Sequence, residues 1–294
     1  MSQALHPLPE AQLAPLVAAY ARAGRQRAVQ GLVVLAVVLA GVVLAAWFID
    51  ARPALLWDRR GQLLDYFGRL LTLTEGSHTG GWVWQDPGEW LWGWQRWLTQ
   101  LGDTLLMAYA GTLFGALGGF CAGVLGAANL VRLPWLRWCV KRLAEFCRTV
   151  PDMVFALLFV YAFGLGPLPG VLALAIHTVG ALGKQFSEVV ENIDMKPVEG
   201  VTSSGGSWLE MVRFAVVPQV LSGFTSYALL RFEMNVRSAA VLGFVGAGGI
   251  GQELIVAIRR FYYNDVAALL LLIILTVVLI DTLSGRVRRR LLEA

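Results

Sequence analysis

Five ionisable residues stand inside stretches otherwise built of apolar side chains: His177, Lys184, Arg231, Glu233 and Arg237. A charge at bilayer depth is costly, so such residues face protein or water and mark pathways for polar solutes by default. Their types suit the handling of an anion more than the making or breaking of bonds. Arg237 and Arg231 are the leading candidates to line a pathway, with His177 and Lys184 behind them. Glu233 and Arg237 are four residues apart on one helix face, so an internal ion pair is the competing reading. Arg231 precedes Arg237 by six residues, about 9 Å along a helix. It is read either as a second cationic station or as a partner of Glu233.

Gly246-Ala247-Gly248-Gly249-Ile250-Gly251 satisfies the GxGxxG spacing, with Asp265 downstream. A dinucleotide site needs that turn inside a βαβ unit. Only 43 residues follow it and they contain an apolar run, so this reading is set aside. The glycines instead predict a tight non-helical turn near the outer mouth of a bundle, leading into a helix over Gln252–Arg260. Such a turn is allowed at membrane depth where it faces protein or water, and its N–H groups can meet an anion. Gly246, Gly248, Gly249 and Gly251 therefore join the pathway candidates. The chain contains no HExxH, GxSxG or GxxxxGK[ST], so no catalytic residue and no ATPase of its own is expected. The histidines are His6, His78 and His177; the cysteines are Cys121, Cys139 and Cys147, with no CxxC. Neither a metal site nor a disulfide framework is expected, and the thiols are read as buried small hydrophobes.

The elements that must position these residues follow from composition. Of 294 residues, 57% are hydrophobic and 15% charged, whereas a soluble domain carries about 25% charged residues. That balance places the chain in a bilayer and excludes an extracellular disulfide scaffold, a disordered protein and a DNA-binding domain. The net charge of +4 comes from short basic clusters between apolar runs, which reads as topology and not as nucleic-acid binding. Crossing the hydrocarbon takes about 20 residues. Apolar regions at Gly31–Ile49, Thr99–Asn129, Leu143–Gly164, Leu168–Val190, Val212–Met234 and Val266–Leu283 predict six spans, the first retained and not a signal peptide.

Residues 50–98 are different, alternating charges with Trp57, Trp82, Trp84, Trp90, Trp92, Trp94 and Trp97. Tryptophan favours the headgroup level, so this segment is expected to lie along the outer membrane face. The second span carries Gly111–Gly115 and Gly119–Gly123, GxxxG pairs that let helices approach closely. Pro151, Pro167 and Pro169 are expected to kink or cap helices. Placing both termini in the cytoplasm sets fifteen basic residues inside against eight outside. Gln3 and Glu293 are then cytoplasmic and Asn264 periplasmic. The expected divisions are a cytoplasmic segment 1–30, a first helix 31–49, the tryptophan-rich 50–98, a core 99–284 and a basic tail 285–294.

Within that core, residues 191–214 are too polar to span. Glu199-Gly200-Val201 is followed by three residues, Gly205, nine residues and Ala215-Val216-Val217-Pro218. A short helix from about Val198, a break at Gly205–Gly206 and a second helix from near Ser207 would make a helix–turn–helix knob. The spacing resembles the cytoplasmic loop of ABC importer permeases: E-A-A, three residues, G, nine residues, I-x-L-P. Departures are Gly200 and Val201 for the alanines, and Ala215 and Val217 for Ile and Leu. Arg148-Thr149-Val150-Pro151, Gly183–Asp194, Arg231–Leu254 and the basic tail look like permeases of phosphonate and phosphite importers.

That resemblance covers roughly residues 98–290. It implies an all-α membrane protein with the type I ABC importer permease core plus an extra N-terminal span. It implies Glu199, Gly200, Gly205 and Pro218 in the ATPase-coupling loop, and a small phosphorus oxyanion as cargo. The implied partners are a second permease subunit, identical or paralogous, two cytoplasmic ATPase subunits, a periplasmic substrate-binding protein and membrane lipid. No nucleic acid is among them. No cofactor is implied on this chain, ATP and Mg being used by the partner ATPase. Alternatives are a permease for methionine, amino acids or metal ions and, from another class, a membrane-embedded lipid-modifying enzyme.

Overall fold

A computed structural model describes residues 10–50, 53–73 and 80–293; His6, His78 and Gln3 lie outside them. The chain divides into two compact units between Asp65 and Tyr66. The first holds α1 (Glu10–Phe48) and α2 (Pro53–Asp58). The expected segment 1–30 and first span are not separate, because one helix runs without a break from Glu10 through the apolar stretch. Residues 22–48 of α1 are long and apolar enough to cross a membrane. Arg60, at the start of α3 (Arg60–Leu71), lies 4.2 Å above the Trp57 ring.

In the second unit, a single bridge joins Thr72 to Trp82, and a short turn, Val83–Gln85, leads to α4 (Pro87–Trp90). Asp86 caps α4, accepting from the Glu89 N–H at 3.1 Å. The tryptophan-rich segment ends earlier than expected, because Trp94 and Trp97 belong to α5 (Trp94–Gly126) and Trp97 is buried in the core.

The α5 glycines recur every four residues, so Gly111, Gly115, Gly119 and Gly123 share one buried face. Leu174, Thr178, Leu182 and Phe186 of α8 (Pro167–Glu191) meet them one for one. A Cβ at Gly119 would stand 2.8 Å from the Leu182 Cβ, and one at Gly123 2.6 Å from the Phe186 Cβ. This seam is the close helix approach that the GxxxG pairs predict.

The expected span Leu143–Gly164 is not one helix. α6 (Pro134–Thr149) and α7 (Asp152–Phe163) meet at 87°. Pro151 disfavours helix at Val150 and ends α6. The 12 residues of α7 reach about 18 Å, too short to cross alone.

After α8 come α9 (Met195–Ser203), α10 (Trp208–Met211), α11 (Val217–Leu242), α12 (Ile250–Arg259) and α13 (Tyr263–Glu293). Among the described residues, three helices are each long and apolar enough to cross a membrane, and up to five spans result if each bent pair, α6–α7 and α11–α12, counts as one. The expected count of six is reached only with α8, whose 25 residues suffice in length. His177, Lys184, Gln185 and Glu188 interrupt its apolar run.

The cysteines differ from expectation. Cys121 and Cys139 are exposed on this single chain, and Cys147 is half-buried where α6 packs against Gly180 of α8.

Candidate functional site

The polar segment 191–214 folds as its residue types dictate. Asp194 caps α9 through the Lys196 N–H at 3.0 Å, so the helix starts at Met195 and not at Val198. Glu199 and Gly200 lie on α9. The chain reverses at Gly205, whose φ of +81° suits glycine alone. A capping box then opens α10: the Ser207 N–H and Oγ each lie 2.7 Å from Glu210 Oε2, and the Glu210 N–H points back at Ser207 Oγ. The Ser207 hydroxyl, and then its N–H, hold the Glu210 carboxyl below the usual carboxylate range.

This knob is bolted to the bundle. Val198, Met211, Val212, Ala215 and Val216 join Val124, Leu182, Phe186 and Val190 in one hydrophobic cluster. Asp194 and Gln219 exchange hydrogen bonds at 3.0 and 3.2 Å, fixing the start of α9 against α11. Pro218 cannot donate to the helix ladder. The chain accommodates it with a π-helical stretch over Val212–Val216, in which the Val217 N–H reaches back to Val212 O. A groove of about 720 Å³ runs beside the knob, lined by Glu199, Thr202, Trp208, Arg132 and Leu136 among others.

The intramembrane residues divide into two groups. Arg231 Nη2 meets His177 Nδ1, and Arg231 Nε points at Thr178 Oγ1 at 3.4 Å. A guanidinium only donates, so His177 Nδ1 is the acceptor. Asn235, one turn further along α11, donates to Thr178 Oγ1 at 2.9 Å and to Thr112 Oγ1 at 2.8 Å. Three helices thus share one polar chain: Thr112 from α5, His177 and Thr178 from α8, Arg231 and Asn235 from α11. Asp152, at the start of α7, acts electrostatically on both Arg231 and His177.

The second group corrects an expectation. Arg237 does not pair with Glu233; it reaches across to Asp281 of α13, with Nη2 at 2.9 and 3.1 Å from the two carboxylate oxygens. Glu233 points elsewhere, 9% exposed, with Oε1 lacking a hydrogen-bond partner. Nor is Arg231 its partner. Lys184 lies away from both groups and pairs with Glu188 one turn on, at 3.8 Å.

The glycine turn is deeper and more closed than expected. Gly246, Gly248 and Gly249 have positive φ. The Ile250 N–H donates to Thr104 Oγ1 at 2.9 Å, which is ten residues, about 15 Å, down α5 from Trp94. The Gln252 N–H is taken by Gly249 O at 3.1 Å and the Gly166 N–H by Gly246 O. A Cβ at Gly251 would run into Ala240 O, so this glycine is required by close packing of α12 on α11. The N–H groups of Gly246, Ala247, Ile250 and Gln252, counted on to meet an anion, thus already have partners within the chain.

Asn235, Thr112, Thr178 and Asp281 were not singled out by sequence reasoning. Asn235 was detectable as an amide one turn from Arg231 in an apolar helix. Asp281 directly follows an apolar run and reads as the end of a span.

Residues 115–293 match the family described as the inner membrane component of binding-protein-dependent transport systems. The chain is 36% identical over 197 residues to the phosphite transport system permease protein PtxC of Stutzerimonas stutzeri, covering 67% of this chain and 72% of that protein. It is 52% identical over 122 residues to a protein of Escherichia coli K12 described as a putative cryptic phosphonate transport system permease, PhnE2, covering 42% of this chain and all of that one. Among solved structures, a chain of the MetNI methionine ABC transporter in inward-facing conformations superposes with a TM-score of 0.57 at 21% identity, over 70% of this chain and 98% of that one. This chain therefore belongs to the binding-protein-dependent transport inner membrane component family: it is an ABC importer permease, a multi-pass transport subunit and not an enzyme.

Proposed function

We propose that this permease moves a small phosphorus oxyanion inward, driven by a separate ATPase that docks on the α9–α10 knob. The observation that carries the substrate reading is the state of Arg231. Among the described residues it makes no salt bridge; neutral partners, His177 and Thr178, hold it. Asp152 acts on it only at a distance, without an ion pair, so the guanidinium keeps charge to offset the desolvation of an anion at membrane depth. Arg237 is already answered by Asp281, so Arg231 takes the leading role and Arg237 a structural one. The relatives named for phosphite and phosphonate transport support the same class of cargo.

The family supports the remaining partners of this reading, a second permease subunit, two ATPase subunits using ATP and Mg, and a periplasmic binding protein; the basic residues, fifteen against eight, support both termini in the cytoplasm. The test is uptake by the reconstituted transporter, with phosphite and methylphosphonate as cargo. Arg231→Gln should lower uptake about tenfold or more, the effect of losing one charge-assisted hydrogen bond. Assembly and basal ATP hydrolysis should stay within about twofold. Full uptake by the variant would overturn the reading.

A further inference from the structure

The helix before the 87° bend, α6, has a face that the transport reading does not use. Trp135, Trp138, Leu143 and Phe146 are each more than half exposed on this single chain. Trp135, Trp138, Arg142 and Phe146 recur every three or four residues, so with Cys139 and Leu143 they share one face. Leu136, Val140, Ala144 and Cys147 recur likewise and pack on the bundle. Arg137, Lys141 and Arg148 lie on a third edge, beside Trp138. The bend sets the direction of the helix. Asp152, at the start of α7, acts on His177 in the middle of α8, and residues 164–166 join the end of α7 to the start of α8. α7 therefore runs along α8, and α6 lies nearly perpendicular to it. Where α6 meets α8, the contacts run from Gly180 to Glu191, whose carboxylate takes Lys141 at 3.0 Å. In those turns Lys184, Glu188 and Glu191 make α8 polar, which marks the edge of a hydrocarbon layer.

A helix lying flat at that level, with tryptophans on one face and arginines on the next, has the pattern of an interfacial helix. Between Arg132 and Thr149 stand five basic residues and one acid, Glu145. Lys141 is answered by Glu191 and Arg142 by Glu145. Arg132 and Arg148, both exposed, make no ion pair among the described residues. This surplus of positive charge complements anionic headgroups, and a guanidinium holds phosphate oxygens through two N–H groups at once. A second copy of this chain docked here by a twofold axis would set like charges together instead. We propose that α6 lies in the headgroup layer and binds anionic phospholipid, its aromatic face among the acyl chains and Arg132 and Arg148 on the phosphates. The proposal does not depend on what the pathway transports.

The test uses the full chain with Cys121→Ser and Cys147→Ser, so that the exposed Cys139 carries a single nitroxide. The protein is placed in bilayers of equal phosphatidylglycerol and phosphatidylcholine. Collisions of the label with oxygen and with a water-soluble nickel chelate give its depth. Native mass spectrometry counts the lipid retained on the extracted protein. The nitroxide should sit at the boundary of headgroups and acyl chains, and phosphatidylglycerol should be retained at least about tenfold over phosphatidylcholine. Arg132→Gln and Arg148→Gln should each lower that preference about fivefold. Arg132→Lys and Arg148→Lys should keep most of it because they keep the charge, and that comparison holds even where a change disturbs the helix. A nitroxide shielded from both reagents means that protein covers this face, and one freely open to the nickel chelate means that water does; either result overturns the proposal. Equal retention of the two lipids, or an unchanged preference in both glutamine variants, overturns it as well.

Discussion

Arg231 and Arg237 are the same residue type six positions apart on one helix, and their surroundings give them different work. One guanidinium faces a histidine and a threonine, the other a carboxylate at 2.9 Å. Sequence alone identifies both as charges out of place in an apolar run, because that judgement needs only hydropathy. It cannot supply Asp281, which is 44 residues away from Arg237 and reached only through tertiary packing. Spacing on one helix suggests Glu233, yet the side chains three and four apart diverge once α13 offers a closer partner. The pairing predicts a specific pattern. Asp281→Asn leaves a guanidinium without its counter-charge at membrane depth, at a cost of about 2.5–3.5 kcal/mol on insertion scales, reduced here by the pair's partial exposure. Accumulation of the folded permease should fall. The exchange Arg237→Asp with Asp281→Arg should restore most of it, read as the yield of monodisperse protein. If the exchange is no better than the single change, the α11–α13 pair is not what holds these helices together.

At the scale of elements, the α9–turn–α10 knob was readable because its signals are local. Asp194, Ser207 and Glu210 are caps, and Gly205 is a break, each acting through its own backbone. The break inside 143–164 carried an equally local signal in Pro151, but the apolar residues on both sides, Phe155 to Val160 and Leu143, outweigh it in a hydropathy reading. The depth of the glycine turn carried no local signal at all, since only the contact with Thr104 sets it. Gly205 permits a direct test of the knob. Nothing lies within 4 Å of where its Cβ would be, so a small side chain would not clash. Its φ of +81° is the obstacle, and a non-glycine residue there costs about 1–2 kcal/mol. Gly205→Ala should therefore leave the bundle folded while loosening the knob. In the reconstituted transporter, uptake should fall severalfold more than ATP hydrolysis does. Equal loss of both would point to failed assembly, and no loss of either would show that the turn tolerates another geometry.

The whole molecule is asymmetric in how it treats its polar residues. The α5–α8 seam is closed by glycines, and the polar chain from Thr112 to Arg231 sits against it. The stripe formed by Met234, Arg237 and Val241 of α11, continued by Phe244 just past its end, is instead exposed on this single chain, Met234 by 52%. Asp281 follows Val266, where the apolar run of α13 begins, by fifteen residues, about 22 Å. The ion pair therefore lies within a hydrocarbon layer about 30 Å thick. A half-exposed ion pair at that depth does not face lipid; it faces protein or a water-filled path. A second permease subunit placed against this stripe by a twofold axis would meet the first through like residues. With Cys121, Cys139 and Cys147 replaced by serine, and this chain supplied as both permease subunits, Met234→Cys should form a subunit-to-subunit disulfide on mild oxidation of the assembled transporter. The bond needs Cα atoms within about 7 Å, so its yield should change with nucleotide state as the path opens and closes. If the introduced thiol never crosslinks, yet reacts fully with a membrane-soluble maleimide in every nucleotide state, then this stripe faces lipid and the second subunit packs elsewhere.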